Sequence, residues 1–162
     1  MTLDDYPHFS FFDKYYLALM AYCSLFKPNI SMDLGHNFGD SAYALSPFSN
    51  KVFTYDISEV GRNHVNTVKL MDNVEFILLP GPEDCLDLLF EEFDLIFVDI
   101  DHHGPRETKI HQKIQQSGYK GIVFWDDVRL TNGMKDFWRD LDIPRVIQEW
   151  HGPTGFGVAL YE

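Results

Sequence analysis

The apolar positions along the chain follow two periods, one typical of helices and one typical of strands. Residues 11–26 carry apolar side chains at helical spacing, with Ser10 placed to cap the helix and Lys27-Pro28 placed to end it. Further strands are predicted at 30–34, 51–57, 73–79, 93–100, 122–125, 145–150 and 156–161, and further helices from about 40 and at 58–70, 83–90, 104–117 and 132–141. Strands that alternate with helices predict an α/β fold built on a doubly wound sheet, mostly parallel, with a C-terminal antiparallel hairpin strand.

The composition is that of one domain with a packed core. The chain has 162 residues, of which 45% are hydrophobic, and its 14 Phe and 8 Tyr argue against disorder. Residues 1–28 are expected to form an N-terminal helical segment, and residues 29–162 the sheet domain that carries the function. No apolar run reaches the length of a membrane span, and Cys23 and Cys85 stand alone, which favours reduced thiols in a cytoplasmic protein.

The net charge of −12 bears on the choice of partner. A protein that follows a phosphate backbone needs clusters of Lys and Arg, and no two basic residues stand side by side in this chain. Nucleic acid and membranes are therefore not expected as partners, and a small molecule is. Most of the excess acid is expected on a solvated surface, with a minority of the carboxylates available for a divalent cation.

Residues 29–46 combine a buried strand, a turn and the start of a helix. Gly35 and Gly39 stand in the turn, where the missing Cβ lets the backbone bend sharply and lets a ligand approach. The helix that begins near Asp40 adds unpaired N–H groups and the positive end of its dipole. Asp33 stands two residues before Gly35, where its carboxylate would repel a pyrophosphate and attract an ammonium or hydroxyl group. This pattern points away from a nicotinamide cofactor and toward one that carries an amino acid group.

Carboxylates also stand at the ends of other predicted strands. Asp56 ends the second strand, about 20 residues after the first glycine of the turn, where dinucleotide folds place an acid on ribose hydroxyls. Asp99 and Asp101 end the fourth strand, and Asp126 and Asp127 end the fifth. Because ligands bind beyond the carboxyl ends of parallel strands, these acids predict a site there, and their mutual repulsion favours a cation between them. The alternative is that Asp126 and Asp127 cap the next segment and that Asp101 belongs to an ordinary exposed turn.

Four of these stretches, in this order, resemble the motifs of the class I S-adenosylmethionine-dependent methyltransferases, particularly the small-molecule O-methyltransferases. They are Asp33-Leu-Gly35-His-Asn-Phe-Gly39-Asp-Ser41, Val52-Phe-Thr-Tyr-Asp56-Ile, Phe93-Asp-Leu-Ile-Phe-Val-Asp99-Ile-Asp101-His102 and Gly121-Ile-Val-Phe-Trp-Asp126-Asp127-Val. The resemblance covers residues 29–161 and implies a Rossmann-like fold, S-adenosyl-L-methionine as the cofactor, and transfer of its methyl group. The chain departs from the family pattern at Asn37, where glycine is common, and it is short for the family. It also lacks the paired-proline motif of amino-methylating members, so the expected acceptor is a small-molecule hydroxyl.

The resemblance implies a set of cofactor-binding residues, namely Asp33, Gly35, His36, Gly39, Asp56, Ile57, Glu83, Asp84 and Asp99. Within this set, Asp56 would hold the ribose hydroxyls, and Glu83 or Asp84 would approach the adenine amino group. His36 would touch the carboxylate end of the cofactor. The competing roles are capping of the short helix for Glu83 and Asp84, and simple exposure to solvent for His36.

The metal-dependent branch of the family implies a second site. There Asp99, Asp126 and Asp127 would hold Mg²⁺, whose preference for oxygen ligands these carboxylates meet. The ion would lower the pKa of the acceptor hydroxyl, and Asp101 or His102 would accept the proton. The implied catalytic residues are therefore Asp99, Asp101 and His102. Because the chain is short for the family, we also expect a homodimer in which a second copy supplies pocket walls.

Three other functions fit parts of the same pattern. A module that binds S-adenosylmethionine without transferring a methyl group fits the short chain. A metal-dependent oxygenase on the same fold fits the acid cluster. A dehydrogenase fits least well, because Asp33 and the two-glycine turn suit a nicotinamide cofactor poorly.

Overall fold

The computed structural model describes residues 14–58, 71–148 and 154–162, and these ranges contain seven strands. The strands are β1 (Ile30–Leu34), β2 (Lys51–Asp56), β3 (Val74–Leu78), β4 (Leu95–Val98), β5 (Gly121–Trp125), β6 (Arg145–Gln148) and β7 (Phe156–Tyr161). The α-helices of these described ranges are α1 (Lys14–Phe26), α2 (Asp40–Leu45), α3 (Pro105–Ser117) and α4 (Asn132–Asp140). Two 3₁₀ turns, Asp84–Asp87 and Phe90–Glu92, lie between β3 and β4.

The strands lie in a single sheet in the order β3-β2-β1-β4-β5-β7-β6. Strands β1 to β5 are parallel, whereas β7 runs antiparallel to both β5 and β6. The chain moves outward from β1 to β2 and β3, and then returns to place β4 on the other side of β1. This reversal leaves a crevice beyond the carboxyl ends of β1 and β4, where ligands bind in folds of this kind. The predicted doubly wound, Rossmann-like sheet with antiparallel C-terminal strands is confirmed.

Side chains that alternate along the strands enter two apolar cores, one on each face of the sheet. On one face, Met32, Ile96 and Val123 pack in a cluster with Ile110 of α3 and Phe137 of α4. On the other face, α1 and α2 pack against β2, β4 and β5 through buried side chains that include Leu19, Leu45, Val52, Phe97 and Phe124. All four residues of β4 are buried, as an unbroken apolar sequence predicts for a central strand. Because helices cover both faces, the polar groups that can meet a ligand are left at the rim of the sheet.

Most predicted elements agree with the structure to within two residues at each end, and one prediction is wrong. The predicted helix over residues 83–90 is instead a pair of 3₁₀ turns, because Leu88 is extended (φ −72°, ψ 148°) and breaks the helical path. The predicted helical residues 11–13 and 59–70, the predicted strand residues 149–150, and residues 151–153 of the predicted joint at 151–155 lie outside the described ranges. None of the described helices is long and apolar enough to cross a membrane.

Candidate functional site

Backbone hydrogen bonds align the ends of the central strands. The N–H of Gly35 donates to the carbonyl oxygen of Tyr55 at the end of β2 (2.9 Å). The N–H of Asp99 donates to the carbonyl oxygen of the last residue of β1 (2.8 Å), and the N–H of Asp126 donates to that of the last residue of β4 (2.9 Å). The acids predicted at the ends of these strands therefore lie along one edge of the sheet.

A cavity of about 220 Å³ opens at this edge, over the ends of β1 to β4. Its lining residues are Leu34, Gly35, Tyr55, Asp56, Ile57, Leu79, Pro82, Cys85, Asp99, Ile100, Asp101 and Arg106. Most of these residues are apolar, and the carboxylates of Asp56, Asp99 and Asp101 stand among them. The cavity thus brings together four of the predicted cofactor residues, which are Gly35, Asp56, Ile57 and Asp99.

Gly35 shapes the floor of this cavity. Its φ is +109°, and a Cβ built on it would lie 1.8 Å from the carbonyl oxygen of Asp99. The turn after β1 therefore runs directly against the backbone at the end of β4, and this closeness depends on the absence of a side chain.

Asp56 is fixed at the wall of the cavity by two backbone donors. The N–H of Asn37 donates to its Oδ2 and the N–H of Ser58 donates to its Oδ1, both at 2.9 Å. Asn37, at the position where the family pattern has glycine, adopts the left-handed conformation (φ 43°) that the turn requires. A carboxylate held in this way keeps lone pairs available for two neighbouring hydroxyl groups of a ligand.

Asp33 lies beneath the turn and outside the cavity lining. Its side chain is fully buried, and the Thr54 hydroxyl donates to its Oδ2 (2.6 Å). Burial raises the pKa of Asp33 to about 7, although hydrogen bonds from Thr54 and Ser41 oppose the shift. His36 is buried nearby, with Nδ1 2.9 Å from the Thr54 hydroxyl oxygen, and burial lowers the pKa of His36. Because neither Asp33 nor His36 lines the cavity, their contact with a cofactor stays a prediction.

Three other predicted cofactor residues also lie away from the lining. Gly39 precedes α2 with a φ of +85°, and Asp84 begins the 3₁₀ turn after β3. The exposed carboxylate of Glu83 pairs with Arg106 (3.5 Å) and Lys109 (3.2 Å), and the hydrogen bond from Lys109 lowers the pKa of Glu83. A direct contact of Glu83 or Asp84 with adenine stays a prediction, and the ion pairs of Glu83 do not favour it.

His102 stands between two of the carboxylates that were predicted to hold a metal ion. Its Nε2 lies 3.1 Å from Asp99 Oδ1, and its Nδ1 lies 3.8 Å from Asp127 Oδ2. The hydrogen bond with Asp99 raises the pKa of His102 to about 9, against the opposing effect of burial. At neutral pH an imidazolium ion therefore balances negative charge on this part of the rim.

The loops around His102 have an unusual backbone. Asp101 (φ 42°), His102 (φ 54°) and Asp127 (φ 54°) are left-handed, a conformation that costs a residue with a side chain about 1–2 kcal/mol. The carboxylate of Glu107 holds the loop after β4, because it accepts hydrogen bonds from the N–H groups of His102 and Gly104, both at 2.8 Å. Strained residues of this kind persist where the surrounding structure fixes them, and they cluster at functional sites.

Asp126 is the least accessible of the three predicted metal ligands. It is buried, and its Oδ1 accepts a hydrogen bond from the N–H of Asp127 (2.8 Å). The pKa of Asp126 is raised, first by burial and then by the negative charges of Asp99 and Asp127. In the ranges that the structure describes, no group of three or more His, Cys, Asp and Glu side chains is placed to hold a metal ion. The predicted ligands are thus neighbours, but they do not form the arrangement of a metal centre.

Two candidate residues escaped the sequence interpretation. Arg106 lines the cavity, with Nη1 2.6 Å from Asp101 Oδ2, and Glu107 is a buried carboxylate that holds the loop after β4. Glu107 stands three residues after Gly104 at the start of a helix, which is the spacing of a capping residue and would have indicated its role. No comparable signal marks Arg106, because it reaches the cavity only through the packing of α3 against the connection between β3 and β4.

The fold is shared with solved methyltransferase structures. An O-methyltransferase from Bacillus cereus, in complex with S-adenosylhomocysteine, has a TM-score of 0.73 at 18% identity over 99% of this chain and 86% of that one. A Podospora anserina methyltransferase bound to S-adenosylhomocysteine has a TM-score of 0.70 at 19% identity, over 91% and 78% of the two chains. TomG, an O-methyltransferase from Streptomyces achromogenes in complex with S-adenosylmethionine, has a TM-score of 0.70 at 17% identity, over 91% and 79%. No family model and no curated protein matches the chain. The chain therefore has the fold of the class I S-adenosylmethionine-dependent methyltransferases.

Proposed function

We propose that this protein is an S-adenosylmethionine-dependent methyltransferase that acts on a hydroxyl group of a small molecule. The proposal rests on one observation: the cavity at the end of β1 combines the Gly35 turn with the Asp56 carboxylate, and backbone hydrogen bonds fix both. The three similar structures, which hold S-adenosylmethionine or S-adenosylhomocysteine, support the assignment of the ligand.

The cavity has the chemistry that a nucleoside requires. The fixed carboxylate of Asp56 would accept hydrogen bonds from the ribose hydroxyls. The apolar lining, which includes Ile57 and Leu79, suits a purine ring. Bound S-adenosylmethionine supplies a methyl group on a positively charged sulfur for transfer to a nucleophilic oxygen.

His102 is the proposed acceptor for the proton of that hydroxyl. It is hydrogen-bonded to Asp99, which lines the cavity and would stabilise the imidazolium that forms. Asp101, the other predicted acceptor, is less available because it forms a 2.6 Å ion pair with Arg106. Only a neutral imidazole can take the proton, and the pKa of His102 is about 9, so kcat/KM is expected to rise with pH up to about 9.

Magnesium does not fit the rim as these residues arrange it. The His102 ring stands between Asp99 and Asp127, and the described residues contain no group of three His, Cys, Asp or Glu side chains that is placed to hold a metal ion. Mg²⁺ requires near-octahedral oxygen ligands, so the proposed mechanism takes no step through a metal. Titration with Mn²⁺ followed by electron paramagnetic resonance tests this point. A saturable site for one Mn²⁺ ion would contradict it, and free Mn²⁺ alone would support it.

Isothermal titration calorimetry with S-adenosylhomocysteine tests the cofactor site without knowledge of the acceptor. We expect the wild-type protein to bind it with a stoichiometry of one. The absence of binding at millimolar concentrations would overturn the proposed function.

Methyl transfer is tested separately, with radiolabelled S-adenosylmethionine and a panel of phenols, catechols and sugars. Label in an extracted acceptor would support the transferase. Binding of the cofactor without transfer to any member of the panel would favour a module that only binds it. Oxygen uptake by iron-loaded protein would favour the oxygenase. A homodimer and a cytoplasmic location stay predictions, and light scattering during gel filtration tests the first of them.

A further inference from the structure

Helix α1 presents an apolar stripe to solvent, formed by Leu17, Ala21 and Leu25. Leu17 leaves 41% of its surface exposed and Leu25 leaves 78%, and Ala21 between them is also exposed. Because these residues recur at every fourth position, they lie on one face of the helix, opposite the buried side chains of Leu19 and Cys23. A surface helix normally turns polar side chains outward, so an apolar outer face indicates that another surface covers it.

The charge of the chain indicates what that surface is. Helix α1 has no acidic residue and no charged residue after Lys14, whereas the whole chain has 25 Asp and Glu residues and a net charge of −12. Most of the molecular surface would therefore repel a second copy, but two outer faces of α1 can meet without bringing carboxylates together. The same net charge disfavours a membrane as the cover, because helices that lie on membranes carry Lys and Arg for the anionic lipids.

The sheet beside α1 extends this surface. Val146 of β6 leaves 55% of its surface exposed and Leu160 of β7 leaves 42%. Val146 pairs with Val158, which packs in the same core as α1, and Leu160 stands two residues further along β7, so both side chains point to the face on which α1 lies. An interface of standard size takes about 20–30 residues from each side, so the 13 residues of α1 need these strands as well.

We propose that the outer face of α1, together with Val146 and Leu160, is the surface on which a second copy of this chain docks. The stripe has the symmetry that a two-fold axis requires, because Leu17 and Leu25 stand four residues on either side of Ala21. With antiparallel helices that cross at Ala21, Leu17 of each copy meets Leu25 of the other, and the small central side chain lets the helices approach closely. This inference does not depend on the proposed function, and it assigns an interface to the expected homodimer.

Sedimentation equilibrium of the wild-type protein, over a wide range of micromolar concentrations, is the first test. We expect twice the mass of one chain at the upper end of the range. The mass of one chain at every concentration would overturn the inference, whatever the variants do, and would favour residues 1–13, which precede α1, as the cover of the stripe.

Ala21→Glu tests the surface, because it sets two carboxylates against each other at the two-fold axis. Position 21 is exposed and glutamate suits a helix, so the variant should keep the circular dichroism of the wild type. Its dimer dissociation constant should rise about 100-fold or more, since opposed like charges at an interface cost several kcal/mol. A folded Ala21→Glu protein that dimerises as tightly as the wild type would overturn the assigned surface.

Gln112→Glu is the matched control. It adds the same charge at an exposed position of α3, which covers the opposite face of the sheet. Its dimer dissociation constant should stay within about threefold of the wild-type value. A loss as large as that of Ala21→Glu would mean that added charge alone separates the copies, and it would overturn the assigned surface.

A pair of substitutions tests the antiparallel arrangement. Leu17→Lys and Leu25→Glu should each weaken the dimer about 10-fold, because each sets an unpaired charge against a leucine of the other copy. Combined in one chain, they should recover most of that loss, because the lysine of each copy then meets the glutamate of the other. The two positions lie about 12 Å apart along the helix, too far to pair within one chain. A double variant that loses as much affinity as the two single variants together would overturn the pairing of Leu17 with Leu25.

Discussion

The rim of the sheet has two halves that use the same residue types in different ways. In the first, over the ends of β1 to β3, the Asp56 carboxylate is hydrogen-bonded to the backbone and a cavity remains open in front of it. In the second, over the ends of β4 and β5, Asp99 and Asp127 face the ring of His102, and Asp126 is buried beside them. We call these the cavity half and the charged half.

Carboxylates at strand ends therefore have different roles in the two halves. In the cavity half the protein satisfies the carboxylate with N–H groups and leaves the space to a ligand. In the charged half a side chain of the protein itself supplies the cation. Asp99 belongs to both halves, because it lines the cavity and is hydrogen-bonded to His102. It is therefore the residue through which cofactor and acceptor chemistry would meet.

The largest effect is expected where the two halves touch. Gly35→Ala places a Cβ against the carbonyl oxygen of Asp99 and should lower the free energy of unfolding by about 3 kcal/mol or more. Gly118→Ala is the control, since Gly118 also has a positive φ (+76°), but a Cβ added there would have no atom of another described segment within 4 Å. It should cost only about 1 kcal/mol. Urea denaturation of both variants measures the difference, and equal costs would contradict the close approach.

The next largest effect is expected on cofactor affinity, which a substitution in the cavity half should reduce much more than one in the charged half. Asp56→Asn removes a charge that would accept the ribose hydroxyls, so S-adenosylhomocysteine should bind about 30-fold more weakly. Asp127→Asn makes the same chemical change in the charged half, away from the cavity lining, and should alter the affinity by about twofold or less. Calorimetry compares the two directly. Equal losses would mean that the halves are not distinct sites.

The charged half should make the protein less stable at alkaline pH. The pKa of His102 is about 9 in the folded protein, above the value of about 6.5 in the unfolded chain, so its stabilisation is complete below pH 6.5 and is lost as pH rises through 9. We expect about 2 kcal/mol of stability to disappear over this window in the wild type, and less in His102→Gln. Urea denaturation at pH 6.5 and 9.5 measures it. Parallel losses in the two proteins would assign the effect to other groups.

An effect of similar size is expected beneath the cavity half, at Asp33. Its folded pKa of about 7 is above the usual value of about 3.9, so folding becomes less favourable as pH rises between these values and is constant above 7. Asn at this position keeps an acceptor for the Thr54 hydroxyl without the buried charge. The advantage of Asp33→Asn over the wild type should therefore be about 2 kcal/mol greater at pH 8 than at pH 5. A gain that is the same at both pH values would contradict the assignment.

The cavity half was predictable because its features are local in the sequence. Gly35 and Asp56 each stand where a predicted strand ends, so the local sequence is enough to locate them. The order of strands that brings these two ends together is typical of a fold in which strands alternate with helices. The sequence also determines which face of the sheet Asp33 occupies. Its neighbours Met32 and Leu34 both enter one core, and because side chains alternate along a strand, Asp33 lies on the opposite face.

The charged half was less predictable because it depends on the path of two loops. His102 reaches between Asp99 and Asp127 because Asp101, His102 and Asp127 are left-handed. Asp and His adopt this conformation more often than most residues do, but they indicate it far less clearly than glycine would. Arg106 escaped prediction for a related reason, since its partners Asp101 and Glu83 come from two separate loops.

The place of β7 in the sheet affects how a growing chain can fold on the ribosome. Of the described strands, β7 is the one that joins β6 to the rest of the sheet, since it pairs with β5 on one side and β6 on the other. Translation delivers β6 before β7, so for that interval β6 has no neighbour and β5 has an open edge. Incompletely folded proteins aggregate through exposed strand edges. The strand β7 thus covers the open edges of β5 and β6 and removes this route to aggregation.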